Sequence, residues 1–144
     1  MFSKACEYGI KATLFIAQKS LHQQRVSLKE IASEIDSPIA FTAKILQSLA
    51  RSGMVDSHKG PTGGFEMDRT KMDTITLYEI VHAIDGDQIF HGCGLGLKQC
   101  DANHPCPVHE KFVVIRENLT QMLQNTTVYE LASGLDIGLT LLKR

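Results

Sequence analysis

Ser27-Leu-Lys-Glu-Ile-Ala-Ser-Glu-Ile-Asp-Ser-Pro-Ile-Ala-Phe-Thr-Ala-Lys-Ile-Leu-Gln-Ser-Leu-Ala-Arg-Ser-Gly53 carries two helical patterns separated by a short break. Ser27 and Glu30 have the spacing of a capping box, in which the hydroxyl accepts from the third amide and the carboxylate reaches back to the cap. Leu28, Ile31 and Ile35 then share one side of a short helix over about Leu28–Ile35. Asp36-Ser37 breaks it. Ser37 is placed to cap the next helix with Pro38 at its first position, where a missing amide costs nothing. That helix runs to about Ser52, with Ile39, Leu46 and Leu49 inward and Gly53 as its stop. Two short helices joined by a tight turn predict a helix-turn-helix.

The chain on either side extends this reading. Val55-Asp-Ser-His-Lys-Gly-Pro-Thr-Gly-Gly-Phe-Glu-Met67 has two short extended arms around a Gly/Pro tip, the pattern of a β-hairpin with a long loop. Upstream, a first helix is expected over about Lys4–Ser20, with Tyr8, Ala12, Phe15 and Ile16 on one side. Downstream, the capping box Thr76-Leu-Tyr-Glu79 opens a helix carrying Leu77, Ile80, Val81 and Ile84. Pro107 can begin a long helix to about Asn125, and Thr127-Val-Tyr-Glu130 caps a last one. Val108, Phe112, Ile115, Leu119 and Met122 repeat at spacings of four, three, four and three, close to the interval of a helix–helix seam. The expected fold is mainly α with a small β-hairpin wing. Residues 1–85 form a winged helix-turn-helix, 86–106 a cysteine-containing loop, and 107–144 a dimerisation helix with a C-terminal helix.

A length of 144 residues fits one domain with an oligomerisation arm. The net charge of −1 hides an asymmetry. Residues 1–69 hold nine Lys/Arg against seven Asp/Glu, a net of +2, and residues 70–144 hold six against nine, a net of −3. That balance suits a binding head on a partner-making tail. No run of eighteen apolar residues is present to span a membrane, and the N-terminus lacks a signal-peptide layout because Glu7 and Lys11 break its apolar positions. A cytoplasmic protein with reduced thiols is expected. No Cys/His/acid arrangement stands apart from the cysteine stretch, which argues against an enzyme.

In a winged helix-turn-helix the second helix of the pair enters the DNA major groove, where base edges present a readable donor and acceptor pattern. Ser37, Ala40, Phe41, Thr42 and Lys44 lie at the start of that helix, and His58, Lys59 and Gly60 sit at the hairpin tip, within reach of phosphates or a minor groove. The expected partner is double-stranded DNA.

Three of the four cysteines fall in Cys93-Gly-Leu-Gly-Leu-Lys-Gln-Cys100-Asp-Ala-Asn-His-Pro-Cys106-Pro-Val-His109. The gaps of six, five and two residues lack the close pairs usual in zinc knots. Cys106 and His109 could share one metal, and the longer glycine-containing loops could wrap a larger iron–sulfur cluster. Redox-active thiols are the other reading. Cys6 falls on the first helix's side with Ile10, Leu14 and Ala17, a core position.

The run VSLKEIASEIDSPIAFTAKILQSLARSGMVDSHKGPTGGFEM (26–67) resembles the DNA-binding half of the bacterial winged-helix transcription regulators that include the iron–sulfur cluster regulator IscR and the nitric-oxide sensor NsrR. A serine and a basic residue before Gly-Pro-x-Gly-Gly and an aromatic are its most specific mark. The resemblance spans nearly the whole chain, from Tyr8 to Asn125-Thr-Thr-Val-Tyr-Glu-Leu131. It implies a homodimer on a pseudo-palindromic operator. It also implies a cluster held by Cys93, Cys100, Cys106 and His109, with 2Fe–2S favoured. In other members the fourth ligand is a carboxylate in the partner's first helix, and Glu7 occupies that kind of position, which keeps 4Fe–4S in view. The alternative is a zinc- or thiol-disulfide-controlled regulator. Lys59 stands where arginine is usual, Thr62 replaces a glycine, and Ala43 stands where some members have glutamate, so the operator sequence does not carry over. Lysine lacks arginine's planar fork.

Overall fold

The computed structural model describes residues 1–143. Ser3 accepts from the Cys6 amide and opens α1 (Lys4–Ser20), the element around which the others pack. Ser27 accepts from the Glu30 amide at 3.2 Å and opens α2 (Leu28–Glu34). The chain turns through Asp36 in the left-handed region, at φ +52°, and the Ser37 amide bonds the Ala32 carbonyl at 2.9 Å. That turn uses one residue more than the sequence suggests. α3 (Ile39–Arg51) has Pro38 as its cap rather than Ser37, and the Pro38 carbonyl accepts from the Thr42 amide at 2.9 Å. Ser37 instead receives the Thr42 hydroxyl at 2.9 Å.

β1 (Asp56–His58) and β2 (Gly64–Glu66) pair antiparallel, with Asp56 opposite Glu66, Ser57 opposite Phe65 and His58 opposite Gly64. Val26, just before α2, adds an antiparallel bridge to Phe65. It exchanges both backbone bonds, Val26 N–H to Phe65 O at 3.1 Å and Phe65 N–H to Val26 O at 2.8 Å. Gly64 permits this contact. Its φ is +131°, and a Cβ there would lie 2.7 Å from the Val26 carbonyl oxygen.

After the wing, Asp68 caps the short and unexpected α4 (Arg69–Thr74). α5 (Leu77–Asp85) begins at the expected capping box, with Glu79 reaching back to the Thr76 amide and hydroxyl. α6 (Gln88–His91) is a single turn, also unexpected. α7 (His109–Gln124) and α8 (Val128–Asp136) complete the chain.

The main core joins α1 to α5 with α8, with Ile16, Ile31, Leu46, Leu49, Met72 and Ile80 fully buried. Each such side chain removed from water contributes roughly 1.5–3 kcal/mol. Gly9 lets α1 approach α5 closely, since a Cβ there would meet Ile84 Cδ1 at 2.1 Å. α8 belongs to this core too. Val128 and Ala132 are fully buried in it, the Val128 amide bonds the Ile75 carbonyl at 2.9 Å, and the Arg69 guanidinium lies 3.5 Å from the Tyr129 ring centroid. A second cluster of Cys6, Val81, Phe90 and Leu123 seats α7 against α5 and α6. Among the described residues no helix is long and apolar enough to cross a membrane.

Candidate functional site

Helix α3 presents a polar stripe. Ala40 and Lys44 are exposed, and so are Gln47 and Arg51, which follow at helical spacing on the same side. Gln47 and Arg51 are absent from the sequence-based set, although the spacing from Lys44 would have found them. Phe41 is partly buried, with its ring edge-on to Tyr8 at 5.7 Å between centroids. Thr42 is fully buried and donates to the Pro38 carbonyl as well as to Ser37. These two expected contact residues therefore face inward, Thr42 holding the turn between α2 and α3 and Phe41 packing on α1. Their positions one and two residues beyond Ala40 rotate them off the exposed stripe.

The wing is braced from below. Glu66 accepts from Arg25 Nε at 3.1 Å and lies 2.8 Å from His58 Nε2, and Arg25 also donates to the Thr62 carbonyl at 3.3 Å. Arg25 foremost, and His58 with it, hold the Glu66 carboxyl below its ordinary range. Lys59 and Gly60 are exposed at the tip, and Gly60 takes φ +97°, which glycine adopts without strain. His58 is tied to the strand opposite, while Lys59 remains the exposed cation. Arg25 is a third residue that sequence reasoning missed, because its partners lie about forty residues away.

Between α6 and the start of α7, Cys93, Cys100, Cys106 and His109 line one small pocket together with Asp101 and His104. All four cysteines are unbridged thiols. Cys100 Sγ lies 3.4 Å from His109 Nδ1 and 3.4 Å from an Arg116 guanidinium nitrogen. The other terminal nitrogen of Arg116 donates to the Gly92 carbonyl at 2.7 Å. The Leu95 amide donates to Cys93 Sγ at 3.4 Å. The amides of Leu95 and Leu97, with Cys106 alongside, pull the Cys93 thiol below its ordinary value. His104 pairs instead with Asp101 at 2.9 Å. His109 is 8% exposed, so its ring is committed to this loop rather than to the helix surface.

The donors are neighbours without forming a closed shell. Among the described residues no three His, Cys, Asp or Glu side chains converge on a point that a metal ion could occupy. The donor set of three thiols and an imidazole, with amides aimed at one sulfur, nevertheless fits the chemistry of an iron–sulfur site. Glu7 is paired with Lys4 Nζ at 3.1 Å. Cys6 is fully buried, and burial above all pushes its thiol up to about 12, so it is inert packing.

Helix α7 has two faces. His109, Phe112 and Arg116 turn to the cysteine loop, where a Cβ on Gly94 would sit 2.5 Å from the Phe112 ring. Val114, Ile115 and Met122 are 55%, 56% and 48% exposed. The predicted seam is thus divided: Phe112 and Leu119 are engaged within the protomer, and Ile115 and Met122 are not.

The profile of the Rrf2 family, described as iron-dependent transcriptional regulator, matches residues 2–134. The chain belongs to the Rrf2 family. It is 31% identical over 134 residues to a helix-turn-helix-type transcriptional regulator of Aquifex aeolicus, covering 91% of this chain and 90% of that one. It is 25% identical over 130 residues to the helix-turn-helix-type transcriptional regulator IscR of Erwinia tasmaniensis, covering 90% of this chain and 77% of the relative. Among solved structures, CymR, the global cysteine regulator of B. subtilis, superposes with a TM-score of 0.74 at 23% identity, over 92% of this chain and 96% of that one. IscR of T. potens superposes with a TM-score of 0.73 at 18% identity, over 98% and 92%. Both show the winged-helix fold described above. This Rrf2-family chain is a DNA-binding transcription regulator, and it is not an enzyme.

Proposed function

We propose that this Rrf2-family regulator acts in the cytoplasm as a homodimer on a pseudo-palindromic operator, and that an iron–sulfur cluster held by Cys93, Cys100, Cys106 and His109 controls its binding. The observation that carries the reading is that these four donors, spread over seventeen residues of sequence, line one pocket against α7. A 2Fe–2S cluster suits the three thiols and one imidazole best, and Glu7 from a partner remains the alternative fourth ligand for a 4Fe–4S cluster. When bound, the cluster supplies a centre that oxidants, nitric oxide or iron shortage can alter.

The chain's own residues supply the read-out. Ala40, Lys44, Gln47 and Arg51 face outward for the major groove, and Lys59 and Gly60 for the adjacent backbone. Val114, Ile115 and Met122 offer an apolar face for a second copy. Loop and face share α7, so a change in how His109 and Cys100 are held biases the dimer geometry that sets half-site spacing.

A second reading is a thiol switch without a cluster, favoured by the lowered Cys93 thiol beside Cys106. Purification without air, followed by a visible spectrum and iron, sulfide and zinc assays, separates these. Charge-transfer bands with stoichiometric iron and sulfide support the cluster. Colourless protein that also resists reconstitution overturns it in favour of the thiol switch, or of zinc if one zinc per chain is present. Cys100→Ala should lose the cluster and alter operator affinity relative to loaded wild type. Equal binding by the two forms sinks the control mechanism.

A further inference from the structure

We infer that Arg116 is a positioning residue that clamps the cysteine loop onto α7. One terminal nitrogen of its guanidinium grips the Gly92 carbonyl at 2.7 Å and the other reaches Cys100 Sγ at 3.4 Å. The two partners are eight positions apart in sequence, at the loop's start and at its middle cysteine. Gly92 is also where α6 ends, its amide bonded to the Gln88 carbonyl at 2.7 Å. One side chain therefore fixes the end of α6, the loop entry and a thiol to a single turn of α7. The planar fork makes this possible, because its two outer nitrogens diverge at a fixed angle and lysine has only a point charge. Neighbouring contacts converge on the same helical face. Phe112, one turn earlier, lies flat enough against Gly94 that any side chain there would overlap its ring, and His109 stands 3.4 Å from Cys100.

The clamp has two consequences. It holds Cys100 toward His109, so the pocket's donors are kept together before any ligand arrives. It also places a cationic hydrogen-bond donor on the sulfur of Cys100, a contact that tunes a bound metal's electronics as well as its affinity. The second consequence rests on the metal-centre reading above. The first does not.

The test compares wild type with Arg116→Gln and Arg116→Lys, in metal-free protein and with cobalt(II) as the probe. In metal-free Arg116→Gln, amide exchange across 92–100 should accelerate several-fold while α1, α3 and α5 keep wild-type protection. Arg116→Lys should fall between the two. Exchange unchanged in Arg116→Gln overturns the clamp, as does acceleration spread through the whole chain. With cobalt(II), Arg116→Gln should bind about 10–100-fold more weakly than wild type. Its thiolate-to-cobalt band should also move, and Arg116→Lys should partly restore both. Equal affinity and an unmoved band overturn the role at the sulfur. Should wild type take up no cobalt while exchange still accelerates in Arg116→Gln, the metal-centre reading fails and the clamp stands.

Discussion

Arg25 Nε lies 3.1 Å from Glu66 Oε2, so a residue just ahead of the helix-turn-helix holds the far strand of the wing. His58 approaches the other carboxylate oxygen at 2.8 Å, from the opposite strand. One glutamate thereby joins both strands of the hairpin to the segment that enters α2. With Arg25 also bonded to the Thr62 carbonyl, the loop that carries Lys59 and Gly60 is tied to the same segment.

The brace makes wing stability depend on pH in one direction. Arg25 first, and His58 with it, hold the Glu66 carboxyl below its ordinary range. The stability it contributes is present above the ordinary glutamate value and is lost as pH falls through the lower, folded value. Both partners of the Arg25 pair are more than a third exposed, 38% and 36%, so solvent screens it. Its contribution is about 0.5 kcal/mol. Thermal melts of Glu66→Gln should lie roughly 2 °C below wild type at neutral pH. The gap should close as pH falls through and below the lowered Glu66 value, where the wild-type carboxyl is also neutral. A gap that persists at the lower pH would assign the loss to packing instead.

The four cysteines divide into one and three. Cys6 is fully buried in the cluster with Val81, Phe90 and Leu123, and its thiol is pushed up to about 12. At a slightly alkaline pH its thiolate population is about a thousandfold below that of an ordinary cysteine. Metal-free native protein treated with iodoacetamide should take up label at Cys93, Cys100 and Cys106, and at Cys6 only after denaturation. Mass spectrometry of the intact chain checks this, and a fourth native label would contradict the burial of Cys6.

Lys59 is the exposed cation at the wing tip, as its side-chain position on the Gly60 turn requires. If it meets a phosphate, Lys59→Ala should weaken binding evenly across operator variants. The slope of log K against log salt should fall by about one. A change confined to one base position would instead assign Lys59 to sequence reading.

Local signals in the sequence were enough for most of the head. The boxes Ser27–Glu30 and Thr76–Glu79 start helices where the structure starts them, and the Gly/Pro tip marks the wing. The third strand-like contact, Val26 with Phe65, is one residue long and joins positions thirty-nine apart, so no period reveals it. α6 has four residues, too few for a 3.6-residue repeat. Burial of Thr42 was equally hidden, because its hydroxyl is satisfied by Ser37 and Pro38 and a polar residue in a helix otherwise reads as surface. At the cysteine loop the ligand candidates are visible as residue types, whereas Arg116 is not, since its role depends on which face of α7 meets the loop.

That same division of α7 gives the last prediction. With Phe112 turned to Gly94 and Leu119 packed in the second cluster, Ile115 and Met122 are left at the open edge of the same stripe with Val114 farther round the helix, each about half exposed. Exposed apolar side chains such as Ile115 and Met122, seven residues apart on one side of a largely polar helix, are the kind of surface that a second copy covers. Ile115→Asp places a charge on that surface at a side chain outside both buried clusters. Sedimentation should show dimer converting to monomer with an unchanged far-ultraviolet spectrum. Operator affinity should fall in parallel, because two linked heads bind a palindrome far more tightly than one. A variant that stays dimeric would place the interface elsewhere, and one that becomes monomeric yet binds the full operator as wild type does would show that α7 does not set half-site spacing.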